Sequence, residues 1–210
     1  MPEPTRVALI DSGIDPRHPD VRGRGQVLPG AVFGPGGRSE GGGDRDLLGH
    51  GTAVAAAILD LAPGIELLPL RVFESDDRCD FACVVAALAA ALEHAPAVVN
   101  LSLGTTSVEF RAPLLALIAR AQERGIRIVA PATLGGLACD PGALPGVDAV
   151  LVDPNVPRAL PVRRTHAGRS YWYASPQPAT GSGRYPGLRL RGESLAAGYV
   201  TGLLARSRRG

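Results

Sequence analysis

Val7, Ala8, Leu9 and Ile10 form an apolar run that no polar residue interrupts, and the run ends on Asp11. A half-exposed strand alternates apolar and polar side chains, so an unbroken run belongs to a strand covered on both faces. The rest of the chain supplies the helices such a strand needs. The spacing predicts further strands over 66–73, 97–103, 126–132 and 148–153. It predicts helices over 50–61, 81–94, 110–124 and 194–206; the first places Val54, Ala57, Ile58 and Leu61 on one stripe. Strand and helix in alternation imply an α/β fold, with a mainly parallel central sheet flanked by helices on both faces.

Two stretches fit this alternation badly. Residues 34–46 are glycine-rich and charged and read as a mobile surface loop. Residues 156–187 are rich in Pro, Arg, Gly and Tyr, with Trp172 between Tyr171 and Tyr173. So long a stretch in a compact domain reads as a functional loop or as irregular strands. With no internal repeat and no evident boundary, residues 1–210 are expected to form a single domain.

Composition narrows the partners. A formal net charge of +2 argues against a general polyanion partner such as nucleic acid. All 22 basic residues are arginine, and no functional conclusion follows from that. No apolar run is long enough for a bilayer span, so no membrane partner is expected. The start, Met1 to Arg6, leads directly into the first strand without a secretory pattern. Cys79, Cys83 and Cys139 are odd in number and suggest no disulfide framework. Two cysteines four apart without a nearby histidine make a poor zinc set, so no metal and no cofactor are expected. Together these features point to a cytoplasmic protein.

Three short motifs carry chemistry. Asp11 ends the first strand, at the edge where α/β sheets place their sites, although Asp-Ser-Gly alone is ordinary turn chemistry. His50, in Gly49-His50-Gly51-Thr52, enters a helix, where a lone histidine more often caps or lies on the surface. Ser194, in Gly192-Glu193-Ser194, also enters a helix. Backbone N–H groups and the helix dipole there suit a nucleophile, while the plain alternative is an N-cap.

The order Asp, His, Ser is one of the three unrelated chain orders of the serine triad. With these three motifs, and with Asn100-Leu101-Ser102-Leu103-Gly104, residues 6–205 resemble the subtilisin-like (S8) serine peptidases. The resemblance implies a catalytic triad of Asp11, His50 and Ser194. It implies substrate backbone bound along Ser102, Leu103 and Gly104, and upstream subsites lined by the loop carrying Asp76, Asp77 and Asp80, which would favour basic residues. The plain alternative for those three acids is a solvated turn.

The chain departs from that family in three places. Glu193 stands where the family usually has Thr, and Gly198 where it usually has Pro. The oxyanion asparagine's place falls on Leu134, which cannot donate a hydrogen bond; Thr133 beside it is the candidate substitute. The chain is also short for the family, without an evident propeptide or the insertions that carry calcium sites in secreted relatives.

The leading expectation is a narrow-specificity serine endopeptidase that processes one partner peptide, such as the leader of a modified precursor, alongside its modifying enzyme. Alternatives are a pseudoprotease that binds peptide without cutting it and a general intracellular turnover protease.

Overall fold

Among the described residues, the run at 7–10 lies within a ten-stranded sheet. The computed structural model describes residues 4–35, 37–73, 78–166, 168–179 and 192–209. In chain order the strands are β1 (Arg6–Asp11), β2 (Gln26–Val27), β3 (Ala31–Gly34), β4 (Gly37–Glu40), β5 (Glu66–Arg71) and β6 (Val98–Leu101). They continue as β7 (Arg127–Pro131), β8 (Thr133–Leu134), β9 (Leu137–Ala138), β10 (Asp148–Val152), β11 (Val162–His166) and β12 (Arg169–Ala174). The helices are α1 (His50–Leu61), α2 (Phe81–Glu93), α3 (Arg111–Glu123) and α4 (Gly192–Arg206).

The sheet runs in the order β11-β12-β10-β7-β6-β1-β5-β3-β4, with β2 beside β5. Its interior pairs are parallel, and β4 and β11 close the two edges antiparallel. Successive side chains of β1 go to opposite faces. Val7 and Leu9 join Val54 and Ile58 of α1 and Tyr199 and Val200 of α4 in one core. Ala8 and Ile10 join Leu88 and Leu92 of α2 and Leu114 and Ile118 of α3 in the other. The expected α/β architecture, with helices on both faces, is therefore the one observed.

From β1 the chain leaves to β5 on one side and later returns to β6 on the other. That divergence makes the carboxyl end of β1 a topological switch point, where the outgoing loops part and leave a crevice. Asp11 stands there.

Helices α1 and α4 pack through small residues. A Cβ on Gly198 would sit 3.1 Å from the Ala57 Cβ, and one on Gly202 would sit 2.5 Å from the Ile58 carbonyl oxygen. Gly202 thus allows an approach that a side chain would prevent, and Gly198 keeps the same seam tight.

The glycine-rich stretch 34–46 corrects the expectation of a mobile loop over its described part. β3 and β4 pair as an antiparallel hairpin on the sheet edge. Ala31 and Phe33 reach into the core beneath α2, and the Arg38 guanidinium lies over the Phe33 ring. Beyond the hairpin, the Gly43 carbonyl accepts from the Ile14 backbone N–H. Gly43 serves close backbone packing there, since an added Cβ would sit 2.5 Å from the Pro69 carbonyl oxygen. In the stretch 156–187, β11 and β12 form a second hairpin, stacked with arginines: Arg163 over Trp172, Arg164 over Tyr173, Arg169 over Tyr171. Residues 180–187 lie outside the described residues.

Candidate active site

Asp11 is fully buried, and its Oδ1 lies 2.7 Å from His50 Nδ1. The same oxygen accepts from the Ser12 backbone N–H at 2.7 Å. Among the described residues the other oxygen, Oδ2, has no hydrogen-bond partner. A buried carboxylate satisfied on one oxygen depends heavily on the group that faces it.

His50 opens α1, and 15% of its side chain is exposed. The helix start touches the loop after β1. A Cβ on Gly51 would collide with the Gly13 carbonyl oxygen and lie 3.2 Å from the Asp11 Cβ. Glycine at 51 therefore lets the imidazole reach Asp11.

Ser194 lies in the first turn of α4, buried, and its hydroxyl donates to the Ser102 carbonyl at 3.0 Å. A buried polar chain fixes the strand end that carries Ser102. The Ser102 hydroxyl donates to Asn100 Oδ1 at 2.5 Å, and Asn100 Nδ2 donates to Thr201 Oγ1 at 2.7 Å. This chain links β6 to α4, so the helix carrying Ser194 and the strand end are held as a unit. Each such bond contributes about 0.5–1.5 kcal/mol net. A further tie sits behind the serine: the Tyr199 hydroxyl donates to the Gln177 carbonyl at 2.9 Å. Burial pushes the Tyr199 phenol up to about 12.

Past Gly104, Thr105 pairs with Asp140 across two backbone hydrogen bonds of 2.8 Å. Cys139 is buried against Gly104 and Pro131. Burial, with help from the charges of Asp140 and Glu193, pushes its thiol up to about 11. It is an inert packing group at neutral pH.

The sequence-derived residues divide as follows. Asp11 and His50 meet directly, and Ser194 meets Ser102. Leu103 is buried and Gly104 half-buried on the same segment. Thr133 and Leu134 are half-buried and form β8, paired with β9 through the turn Gly135-Gly136, whose φ values are +58° and +82°. Such a two-residue turn with φ > 0 at both positions is a type I′ hairpin signal. Asp80 is exposed and caps α2, its Oδ1 accepting from the Ala82 N–H at 2.9 Å. Asp76 and Asp77 lie outside the described residues. Among the described residues no group of three His, Cys, Asp or Glu side chains could hold a metal ion. No helix among them is long and apolar enough to cross a membrane.

Sequence reasoning missed Asp46, which gathers the helix start at His50 through several hydrogen bonds. An acid shortly before a helix is a start signal, hidden here because the surrounding glycines read as loop. It also missed Thr201, which looks like one more small residue on a buried helix face.

Residues 3–135 match the family model described as the subtilase family. That match includes Asp11, His50 and the 102–104 segment and stops before Ser194. Subtilisin BL of Lederbergia lenta is 36% identical over 134 residues, which cover 60% of this chain and 46% of that protein. Subtilisin E of Bacillus subtilis (strain 168) is 35% identical over 108 residues, covering 47% of this chain and 26% of that protein. The chain thus spans less than half the length of these relatives. Solved structures share the fold at lower identity. The prenylagaramide maturation protease PagA superposes with a TM-score of 0.66 at 22% identity, covering 99% of this chain and 78% of that one. The nisin leader peptidase NisP from Lactococcus lactis gives 0.69 at 20%, covering 97% and 78%. The fold, the paired Asp11 and His50 and the family match over residues 3–135 agree: this chain belongs to the subtilase family.

Proposed function

We propose that this chain is a serine endopeptidase that cuts one class of peptide through an acyl-enzyme. The observation that carries the reading is the 2.7 Å contact between the buried Asp11 and His50 Nδ1 at the switch point of the sheet. Asp11 holds the imidazole in the tautomer that carries its proton on Nδ1, leaving Nε2 to act as base. Ser194, on the neighbouring small-residue-packed helix, is the nucleophile. Its hydroxyl proton, now directed at the Ser102 carbonyl, passes to His50 as Oγ attacks the scissile carbonyl, and His50 returns it to the leaving amine. Asp11 stabilises the imidazolium formed between those steps. The oxyanion receives the Ser194 backbone N–H at the positive end of α4, with Thr133 as the candidate second donor.

The substrate lies extended along Ser102 to Gly104, where backbone hydrogen bonds give affinity and side-chain pockets give selectivity. The substrate class we favour is a precursor peptide that needs its leader removed, with a modifying enzyme as its other partner. Two structural neighbours, the prenylagaramide maturation protease PagA and the nisin leader peptidase NisP, support this choice. Maturation of the small subunit of quinohemoprotein amine dehydrogenase is one such reaction to try. Asp77 and Asp80 are the residues we assign to recognition of basic side chains before the cut.

The test is direct. Fluorophosphonate labelling of the wild type at Ser194, with cleavage of a peptide library, should disappear in Ser194→Ala while the fold is kept. Peptide binding without labelling or cleavage would favour a peptide-binding role, and undiminished cleavage by Ser194→Ala would end the assignment. Within the library, equal kcat/KM for basic and neutral residues before the cut would remove Asp77 and Asp80 from recognition.

A further inference from the structure

We propose that Asp46 is the positioning residue that sets the His50 imidazole against Asp11; only its kinetic consequence rests on the peptidase reading. The start of α1 lacks a cap of its own. Its N-cap is Gly49, at φ +80°, with no side chain to accept from the first turn. The exposed N–H groups of a helix start must find acceptors elsewhere. Asp46 provides them from outside the helix.

Its Oδ1 accepts from the backbone N–H of Leu48 at 3.0 Å and of Gly49 at 2.7 Å, and from the Ser12 hydroxyl at 2.8 Å. Its Oδ2 accepts from Thr52 twice, from the backbone N–H at 2.8 Å and from the hydroxyl at 2.6 Å. Both hydroxyls are relays. Ser12 Oγ accepts from the Gly51 N–H at 2.9 Å, and Thr52 Oγ1 accepts from the Asp15 N–H at 2.9 Å. One carboxylate therefore ties the loop after β1, at residues 12 and 15, to the helix start on both sides of His50, at residues 49, 51 and 52. The backbone carrying the imidazole has little room to move relative to the backbone carrying Asp11.

The chemistry demands a carboxylate. All five groups that reach Asp46 are donors, and an amide of the same size would turn an N–H₂ toward some of them. The negative charge also sits at the positive end of α1, where it is favourable. Asn at this position should consequently behave more like Ala than like Asp.

The experiment uses the full chain and two readouts. One is the proton NMR signal of the His50 Nδ1–H in its bond to Asp11, which lies far downfield of the backbone amides. The other is fluorophosphonate labelling of Ser194, with kcat and KM on a cleaved peptide. Asp46→Ala and Asp46→Asn are expected to lose or broaden the downfield signal. They should slow labelling and kcat by about 10²-fold, the cost of a misplacement near 1 Å, with KM little changed. A wild-type signal and labelling rate, with only the melting temperature lowered, would overturn the proposal. Should Asp46→Ala fail to fold, Ser12→Ala combined with Thr52→Val cuts both hydroxyl links to the loop after β1; a folded double variant with an unchanged downfield signal overturns it equally. If the wild type is never labelled, the peptidase reading fails, and the NMR comparison alone still decides the role of Asp46.

Discussion

Gly51 and the carbonyl of Gly13 stand so close that no side chain fits between them, and the same contact brings Gly51 to 3.2 Å, measured from an added Cβ, of the Asp11 Cβ. The helix that carries His50 is seated directly on the loop that follows Asp11. Gly51→Ala should push the two apart. Overpacking of this kind costs about 1–3 kcal/mol, and the melting temperature should fall accordingly. Cleavage should fall more steeply than stability, since the strain lands on the Asp11–His50 contact. A variant that loses stability but keeps wild-type kcat would show that the contact tolerates the shift.

His50 also has a structural debt to Asp11. The carboxylate is fully buried with one oxygen unpartnered among the described residues, so removing the imidazole leaves it with the Ser12 N–H alone. His50→Ala should destabilise the fold by about 1–3 kcal/mol, the cost of an unsatisfied buried polar group. Adding Asp11→Asn should recover part of that loss, because a neutral amide is cheaper to bury. Urea midpoints of the two single variants and the double variant measure the coupling; strict additivity would contradict it.

Leu134 is the place where a second oxyanion donor would stand in the resemblance. If the hole relies on the Ser194 N–H alone, Leu134→Asn should raise kcat, with KM little affected, because the new bond forms to charge present only in the transition state. The gain is bounded by about 10²–10³, the loss that follows removal of one such donor from subtilisin. If Thr133 already donates, Thr133→Val should be the damaging change and Leu134→Asn should do little. The type I′ turn at Gly135-Gly136 keeps both positions on a fixed hairpin, so either substitution should leave the backbone in place.

Alkaline pH should weaken the fold through two buried groups. The Cys139 thiol is pushed from 9.0 to about 11 and the Tyr199 phenol from 10.0 to about 12, both chiefly by burial. In the unfolded chain each ionises first, so above pH 9 the unfolded state holds fewer protons than the folded one and stability falls as pH rises. The loss should run from about 9 to 11 for Cys139 and from about 10 to 12 for Tyr199. Cys139→Ala should flatten the lower part of that slope in denaturant titrations. An unchanged slope would mean the thiol is wetter than its burial implies.

The element plan was readable from the chain because it rests on local patterns. The unbroken apolar run at 7–10 required two covered faces, and the helix at 50–61 appeared over the expected residues. Asp11, His50 and Ser194 were each marked by their place at a strand end or helix start. What one residue at a time could not supply was distance. The packing of Gly198 and Gly202 against α1, the chain from Thr201 through Asn100 to Ser102, and the gathering of the His50 helix start by Asp46 all join residues far apart in sequence. Local spacing carries no information about such contacts. A glycine-rich segment looks mobile by composition, yet at Gly43 it packs against the backbone of Gly30, Ala31 and Pro69, because a residue without a Cβ lets backbones touch, and that follows only from the folded shape.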